Sequence, residues 1–383
     1  MQLSVLTSVA ELTALRADWD ELVAHSRGNE PMSAPDWLLC WWDVFGEGSE
    51  LRACAFHRDG QLVGLVPARL RRHYYRRTLP FRRLELLGSG EREADEIASD
   101  YIGMIVAAGH EHDVAEAFVA ALAAGKLGRW DELVFTRMHA GAIATRALIL
   151  ALRQLGSAIE LLPQGLCYHA ELPASWDEYL AALPSRHRYV VRRSLRELEA
   201  FSGGDYELHC VADRAELDRG IDILIELHRE RWSSDGQRGV LDSPAFHAFH
   251  QAVMPRLLDR GALQLCWLEV RGAPIAALYS IVWNGRIYFY QSGRAMDLPA
   301  KLKPGIASHA LAIQRAIAEG MREYDFLAGD ARYKEQLATA SRELVELRVV
   351  RPRSLREPVR RLAEVGIGVA QSVRARMLTR RDA

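Results

Sequence analysis

Residues 263–293, LQLCWLEVRGAPIAALYSIVWNGRIYFYQSG, are rich in β-branched and aromatic side chains and are broken only at Arg271-Gly272 and Asn284-Gly285. Two-residue hairpin turns need positive φ at their centre, which Gly and Asn tolerate, so the run predicts a meander of three antiparallel strands. Such a meander needs helices to cover it. SWDEYLAAL, the basic segment SRHRYVVRRSLRELEAF, AELDRGIDILIELHRERW and FHAFHQAVMPRLLDRG precede it, with a strand, YELHCVA, among them. Helix SHALAIQRAIAEG and strand REYDFLAG follow.

The first half is mixed in the same way. A strand leads into a helix with Ala10, Leu12, Leu15, Trp19, Leu22 and Val23 at helical spacing. A second helix, WLLCWWDVFG, is followed by a hairpin turning at Arg58-Asp59-Gly60, a helix over 111–125, strand ELVFTRM and helix ATRALILALRQLG. The pattern restarts around Gly156–Pro173, where a short Pro/Gly-containing stretch, Leu162-Pro163-Gln164-Gly165, precedes a strand, CYHAELP. Leu51, Cys54 and Gly60 recur as Leu263, Cys266 and Gly272 at a constant offset of 212 residues. That match reads either as duplication of one α/β unit or as convergence of two ordinary hairpins. Length agrees with two domains, 1–165 and 166–350, and leaves a tail, 351–383.

With a formal net charge of −1, no global field favours nucleic acid or membrane. Five dispersed cysteines with no C-x-x-C pair argue against a disulfide framework or a zinc site; Cys54, Cys167 and Cys266 read as core. No secretory signal and no apolar span of bilayer length are legible, so a cytoplasmic location is expected. There is no G-x-S-x-G, H-E-x-x-H or Walker A sequence, so neither a covalent nucleophile nor a metal is indicated.

Three clusters carry possible chemistry. In QSGRAMDLPAKLKPGIASHAL a strand feeds a helix start, whose first N–H groups lack internal partners and attract anions. Gly293, Lys301, Lys303, Gly305 and Ser308 are the candidates there, against the alternative of a plain loop with solvated lysines. In EYDFLAGDARYKEQ, Asp325 and Asp330 end a strand, and Tyr333 and Lys334 follow the turn. These four can supply a base, an acid and a charge clamp, or be packing and capping groups. On the basic helix, Arg188, Arg192 and Arg196 share one face, which suits an anionic substrate or is simply solvated. His228, Arg231 and Trp232 close another helix and are further substrate-binding candidates.

Taken in order, Ser185-Arg186-His187-Arg188-Tyr189 with Arg192-Arg193, then YFYQSG (288–293), Pro304-Gly305 and YDFLAGD (324–330) with Tyr333-Lys334 resemble the cellulose-biosynthesis (CelD-type) and FemAB-like branch of the GNAT acyltransferase superfamily. The resemblance spans roughly residues 170–345; the first half resembles a degenerate first copy more loosely. It implies an α/β (mixed α+β) fold of tandem GNAT-like units, each a twisted mixed sheet flanked by helices. It also implies direct attack by an amine on an acyl-CoA-type thioester, with the donor's pyrophosphate on the loop from Gly293 to Gly305. On that basis Asp325 or Asp330 is expected to act as base and Tyr333, or secondarily Tyr290, as acid, in one cleft with Lys334, Lys303–Gly305 and Arg188 or Arg192.

The acceptor is a small molecule or a glycan or cell-envelope precursor. The Q/R-x-x-G-x-G/A loop of ordinary acetyltransferases is absent, which leaves two alternatives: an aminoacyl-tRNA donor, the only case in which nucleic acid is a partner, or a non-catalytic binding protein. In the tail, Leu355, Val359, Leu362, Val369, Val373 and Met377 form an apolar stripe among arginines. It is expected either to pack on the protein or a second copy, or to lie on the inner membrane face.

Overall fold

The computed structural model describes residues 1–360 except Leu155, Ser157, Asp235, Gln237, Arg238, Arg353 and Leu355. The first half runs β1 (Gln2–Leu6), α1 (Val9–Ala14), α2 (Arg16–His25), α3 (Pro35–Phe45), β2 (Glu50–Leu51), β3 (Ala53–Arg58), β4 (Gln61–Val66), β5 (Ala68–Tyr75), β6 (Leu79–Leu86), β7 (Ile105–Val106), α4 (Glu111–Ala123), β8 (Glu132–His139) and α5 (Ile143–Gln154). The second half runs β9 (Ala158–Glu171), α6 (Trp176–Ala182), α7 (Ser185–Ser202), β10 (Tyr206–Cys210), α8 (Arg214–Ser234), α9 (Pro244–Asp259), β11 (Leu263–Val270), β12 (Ala273–Trp283), β13 (Arg286–Arg294), α10 (Pro304–Ala318), β14 (Glu323–Ala328), α11 (Arg332–Leu337) and β15 (Ala340–Val350).

Helix ends follow local chemistry. Ser8 and Glu11 close a capping box on α1, Pro35 and Pro304 occupy the first turns of α3 and α10, and Gly203 at φ 66° ends α7. A four-stranded sheet has the order β1-β3-β4-β7. An eleven-stranded mixed sheet has the order β10-β11-β12-β13-β14-β9-β15-β8-β6-β5-β2. The last strand, β15, thus lies between β9 and β8 and joins the two halves into one sheet. Trp19, Trp37, Trp41 and Trp267 are fully buried, each side chain contributing about 2–3 kcal/mol by removal from water.

The two similar hairpins share their register. Cys54 faces Val66 and Cys266 faces Leu278, and a β-bulge follows Phe56 in one and Leu268 in the other. Each half also has one parallel pair held by three residue pairs, Arg83–Glu85 against Glu132–Val134 and Arg286–Tyr288 against Glu323–Asp325.

Two expectations need correction. The strand does not begin after residues 162–165 but includes them, since β9 starts at Ala158: the register with β15 shifts between Glu343 and Val345, and Gly165 takes φ 98°. A bulge absorbs the proline and the glycine without ending the strand. Cys210 and Cys266 form a disulfide, although they are 56 residues apart, because β10 and β11 set them directly opposite each other. Cys40, Cys54 and Cys167 are buried and free, as core residues. Arg356 caps Pro80 and meets Asp131, while the amphipathic stripe beyond Arg360 lies outside the described residues.

Candidate functional site

β13 and β14 run parallel from Arg286 to Tyr288 and then diverge. Both strands carry the cause. In β13 the register with β12 skips Tyr290, and in β14 the register with β9 skips Phe326 and Leu327, with Leu327 at φ 55°. Bulges of this kind bend a strand away from its neighbour and leave backbone groups unpaired. The result is a V-shaped opening with a cavity on each face.

On the α10 face, a cavity of about 250 Å³ is lined by Arg231, Ser292, Gly293, Arg294, Lys303, Gly305, Ser308, His309 and Tyr333. The first turn of α10 opens onto it. Lys303 is the N-cap residue and offers no side-chain cap, so the Gly305 and Ile306 N–H groups remain for a ligand. A diphosphate fits this helix start, with Lys303 and Arg231 as counter-charges. Ser308 instead turns its hydroxyl back to the Gly305 carbonyl at 3.1 Å. Gly293 is a glycine for packing: a Cβ there would stand 2.4 Å from His228 N and 2.6 Å from Leu227 C in α8. Lys301 is exposed and outside this lining.

Tyr333 stacks on His309 with ring centroids 5.2 Å apart, and its hydroxyl bonds to none of the described residues. Burial raises the Tyr333 pKa, so the phenol stays protonated. His309 is fully buried beside the Tyr324 hydroxyl at 3.0 Å; burial, then the Lys334 charge, pushes its pKa to about 3. It is therefore a neutral platform.

The opposite face differs. A cavity of about 220 Å³ is lined by Glu93, Glu96, Ala98, Asp100, Tyr290, Gln291, Leu327 and Ala328. Its acids come from the first half of the chain. Asp100 is buried and accepts from the Ala328 N–H and from Arg137, both at 2.7 Å; Arg137 also binds Glu96 at 2.6 Å. Lys334 donates to the Ala328 carbonyl at 2.5 Å. The divergent end of β14 is thus pinned from both sides. Ala98, Tyr101, Arg137 and Leu327 all take positive φ here, a concentration of strained non-glycine residues of the kind found at functional sites.

The expected single cleft is corrected by these positions. Tyr333 joins Lys303–Gly305, but Asp325 does not. Tyr324 and Phe326 face the α10 layer, and strand alternation sends Asp325 to the other side. There Asp325 is buried and accepts from Tyr101 at 2.7 Å, Arg342 at 3.0 Å and the Leu327 N–H at 2.7 Å. Burial raises its pKa to about 6 against the lowering effect of these donors. Asp325 holds strand geometry and the seam between halves. Asp330 is exposed on the loop after β14, and Lys334 is a buried strand clamp.

Arg188 binds the Ala181 and Leu183 carbonyls at the end of α6, and Arg192 is exposed on α7; neither lines the cleft. His228 is buried, with burial lowering its pKa to about 4, and Trp232 receives the Arg231 guanidinium 5.3 Å from its ring centre. Tyr290 lines the acidic face and donates to the Ile97 carbonyl at 2.5 Å.

Asp100, Tyr101, Arg137 and Arg342 were not anticipated from sequence. GSGEREADEIASDY (88–101), with five acids after a Gly-Ser-Gly turn, was the available signal.

Residues 185–335 match the family model of the acetyltransferase (GNAT) domain. That match covers less than half of the chain and marks a stretch of its second half as similar to a GNAT domain. No curated protein matches its sequence. Among solved structures, FemX covers 94% of this chain and 99% of its own, with 12% identity and a TM-score of 0.61. A conserved protein of unknown function from Bacteroides thetaiotaomicron covers 91% and 100%, at 12% identity and TM-score 0.54. The C-terminal domain of a protein assigned as a lysylphosphatidylglycerol synthetase from Agrobacterium fabrum covers 91% and 93%, at 11% identity and TM-score 0.52. At these identities the likeness is one of fold, and it extends over nearly the whole chain. Among the described residues no helix is long and apolar enough to cross a membrane, and no group of three His, Cys, Asp or Glu side chains is placed to hold a metal.

Proposed function

We propose that the protein is an acyltransferase that moves an acyl group from an acyl-CoA-type thioester to an amine by direct attack at the opening between β13 and β14. The observation that carries this reading is the opening itself, with an uncapped helix start on one face and a carboxylate-lined cavity on the other. The α10 face suits the donor: Gly305 and Ile306 N–H groups, Lys303 and Arg231 would hold the diphosphate. The thioester carbonyl would then lie in the opening, where backbone N–H groups around the Tyr290 bulge can stabilise the oxyanion.

The acidic face suits an ammonium group. Glu93 is exposed and can take the amine's proton directly or through water, while Glu96 is engaged by Arg137 and Asp100 by Arg137 and Ala328. The nitrogen attacks, the C–N bond forms, and the C–S bond breaks. Tyr333, protonated and on the donor face, supplies the proton to the departing thiolate. Calorimetric titration with acetyl-CoA, longer acyl-CoAs and a charged tRNA tests the donor. Saturable binding of acyl-CoA supports the proposal; binding of charged tRNA alone assigns the donor to the aminoacyl class; no binding of either leaves a non-catalytic protein.

A further inference from the structure

A cavity of about 560 Å³, remote from the α10 cleft in sequence, lies between the end of α3, the β5–β6 hairpin and residues 90–95. Five arginines line it: Arg69, Arg71, Arg72, Arg82 and Arg92. Its acids are largely engaged or suppressed. Glu50 is held by Arg82 at 3.3 Å and by Arg52, and Asp95 accepts from Ser243 at 2.6 Å. Glu91 accepts from Trp41, and burial raises its pKa. Glu47 is exposed.

Of the arginines, Arg69 and Arg71 share Glu85 and Arg82 binds Glu50, which leaves Arg72 and Arg92. Arg72 stands directly across the ladder from Arg82, a like-charge pair that costs stability unless an anion lies between. Arg72 and Arg92 form no ion pair among the described residues. Arg69 is 3% exposed; its terminal nitrogens bind the Phe45 and Ser89 carbonyls and Glu85, yet its Nε has no partner. Gly90, at φ 85°, is where the loop closes over this buried pair. A Cβ there would come 2.5 Å from Glu85 Oε2 and 2.9 Å from Arg69 Nη2.

We infer that this cavity is an anion site that takes the phosphate or diphosphate group of a phosphorylated ligand. Arginine forks match phosphate oxygens bidentately, and an anion would relieve the Arg72–Arg82 opposition and give the buried Arg69 edge a partner. The cavity has room for a diphosphate with part of its ester. One strap, residues 90–100, walls both this cavity and the acidic one beside the β13–β14 opening. The phosphorylated ligand is therefore the acceptor, or an effector that sets the strap. Naming it as acceptor rests on the transferase reading; the anion site does not.

The test is calorimetry on the full chain with inorganic pyrophosphate, uridine diphosphate and a short-chain phosphatidic acid, each titrated with and without saturating coenzyme A. The expected result is a site that persists when coenzyme A fills the α10 cleft, and that weakens at least about tenfold in Arg72→Gln/Arg92→Gln. Preference among the three probes tells free phosphate, nucleotide and lipid apart. Binding abolished by coenzyme A, or unchanged in the double variant, overturns the inference. Coenzyme A failing to bind while the pyrophosphate site persists would instead count against the transferase reading alone. A circular dichroism spectrum matching wild type shows that the variant is folded.

Discussion

Gly293→Ala separates packing from ligand contact at the donor cleft. The added Cβ would sit 2.4 Å from His228 N and 2.6 Å from Leu227 C. Both are main-chain atoms of a long helix, so no side-chain rotation relieves the clash. Ordinary separations require β13 and α8 to part by about 1 Å, at a cost of about 2 kcal/mol, typical of overpacking. For a chain of this length that is about 2–3 °C in Tm. The same displacement moves the β13 edge of the opening, and a misplacement of about 1 Å lowers turnover by about 10²-fold. Gly305→Ala is the matched control. Its Cβ meets only Arg294 Cδ, at 3.9 Å, and it lies inside a helix, where Ala is favoured by about 0.5–1 kcal/mol. Scanning calorimetry and coenzyme A titration of both variants decide the matter. The reasoning is refuted if Gly293→Ala melts and binds like wild type, or if Gly305→Ala unfolds as readily as Gly293→Ala.

Three other outcomes are expected. Tyr333→Phe should lower kcat by about 10–10⁴-fold with donor affinity kept, since the phenol bonds to no described residue; steady-state kinetics beside donor titration would show it. Asp100→Ala should cost about 3 kcal/mol in urea unfolding, because it strips Arg137 and the Ala328 N–H of a buried partner. Burial drives His309 from 6.5 to about 3, so between these values the unfolded chain binds a proton that the native one refuses. Its contribution is complete above pH 6.5 and lost as pH falls, by about 1.4 kcal/mol per unit, and His309→Leu should flatten that slope in unfolding measured from pH 7 to 5.

The meander at 263–293 was legible because its turn residues and strand formers are local signals. The hairpin match at an offset of 212 extended further than its residues suggested, down to the position of a bulge. Asp325 shows where local reading stops. Its neighbours in YDF are apolar, and alternation alone places it opposite Tyr324 and Phe326; which of the two faces holds the donor depends on α10. Its partner Tyr101 lies 224 residues away, and no periodicity encodes that contact. The Pro-Gly segment at 162–165 misled for the converse reason: long-range pairing with β15 overrode a local breaker signal. Cys210 and Cys266 likewise become partners only once β10 and β11 are in register.

The central claim is that a thioester donor rests on the first turn of α10. Amide hydrogen exchange with and without coenzyme A tests it most directly. Gly305 and Ile306 lack intrahelical acceptors, so their amides exchange fast in the free protein. The account predicts that coenzyme A slows exchange at Gly305 and Ile306, with protection reaching Ser292–Arg294. Protection confined to the first half, with residues 303–308 unchanged, would contradict it.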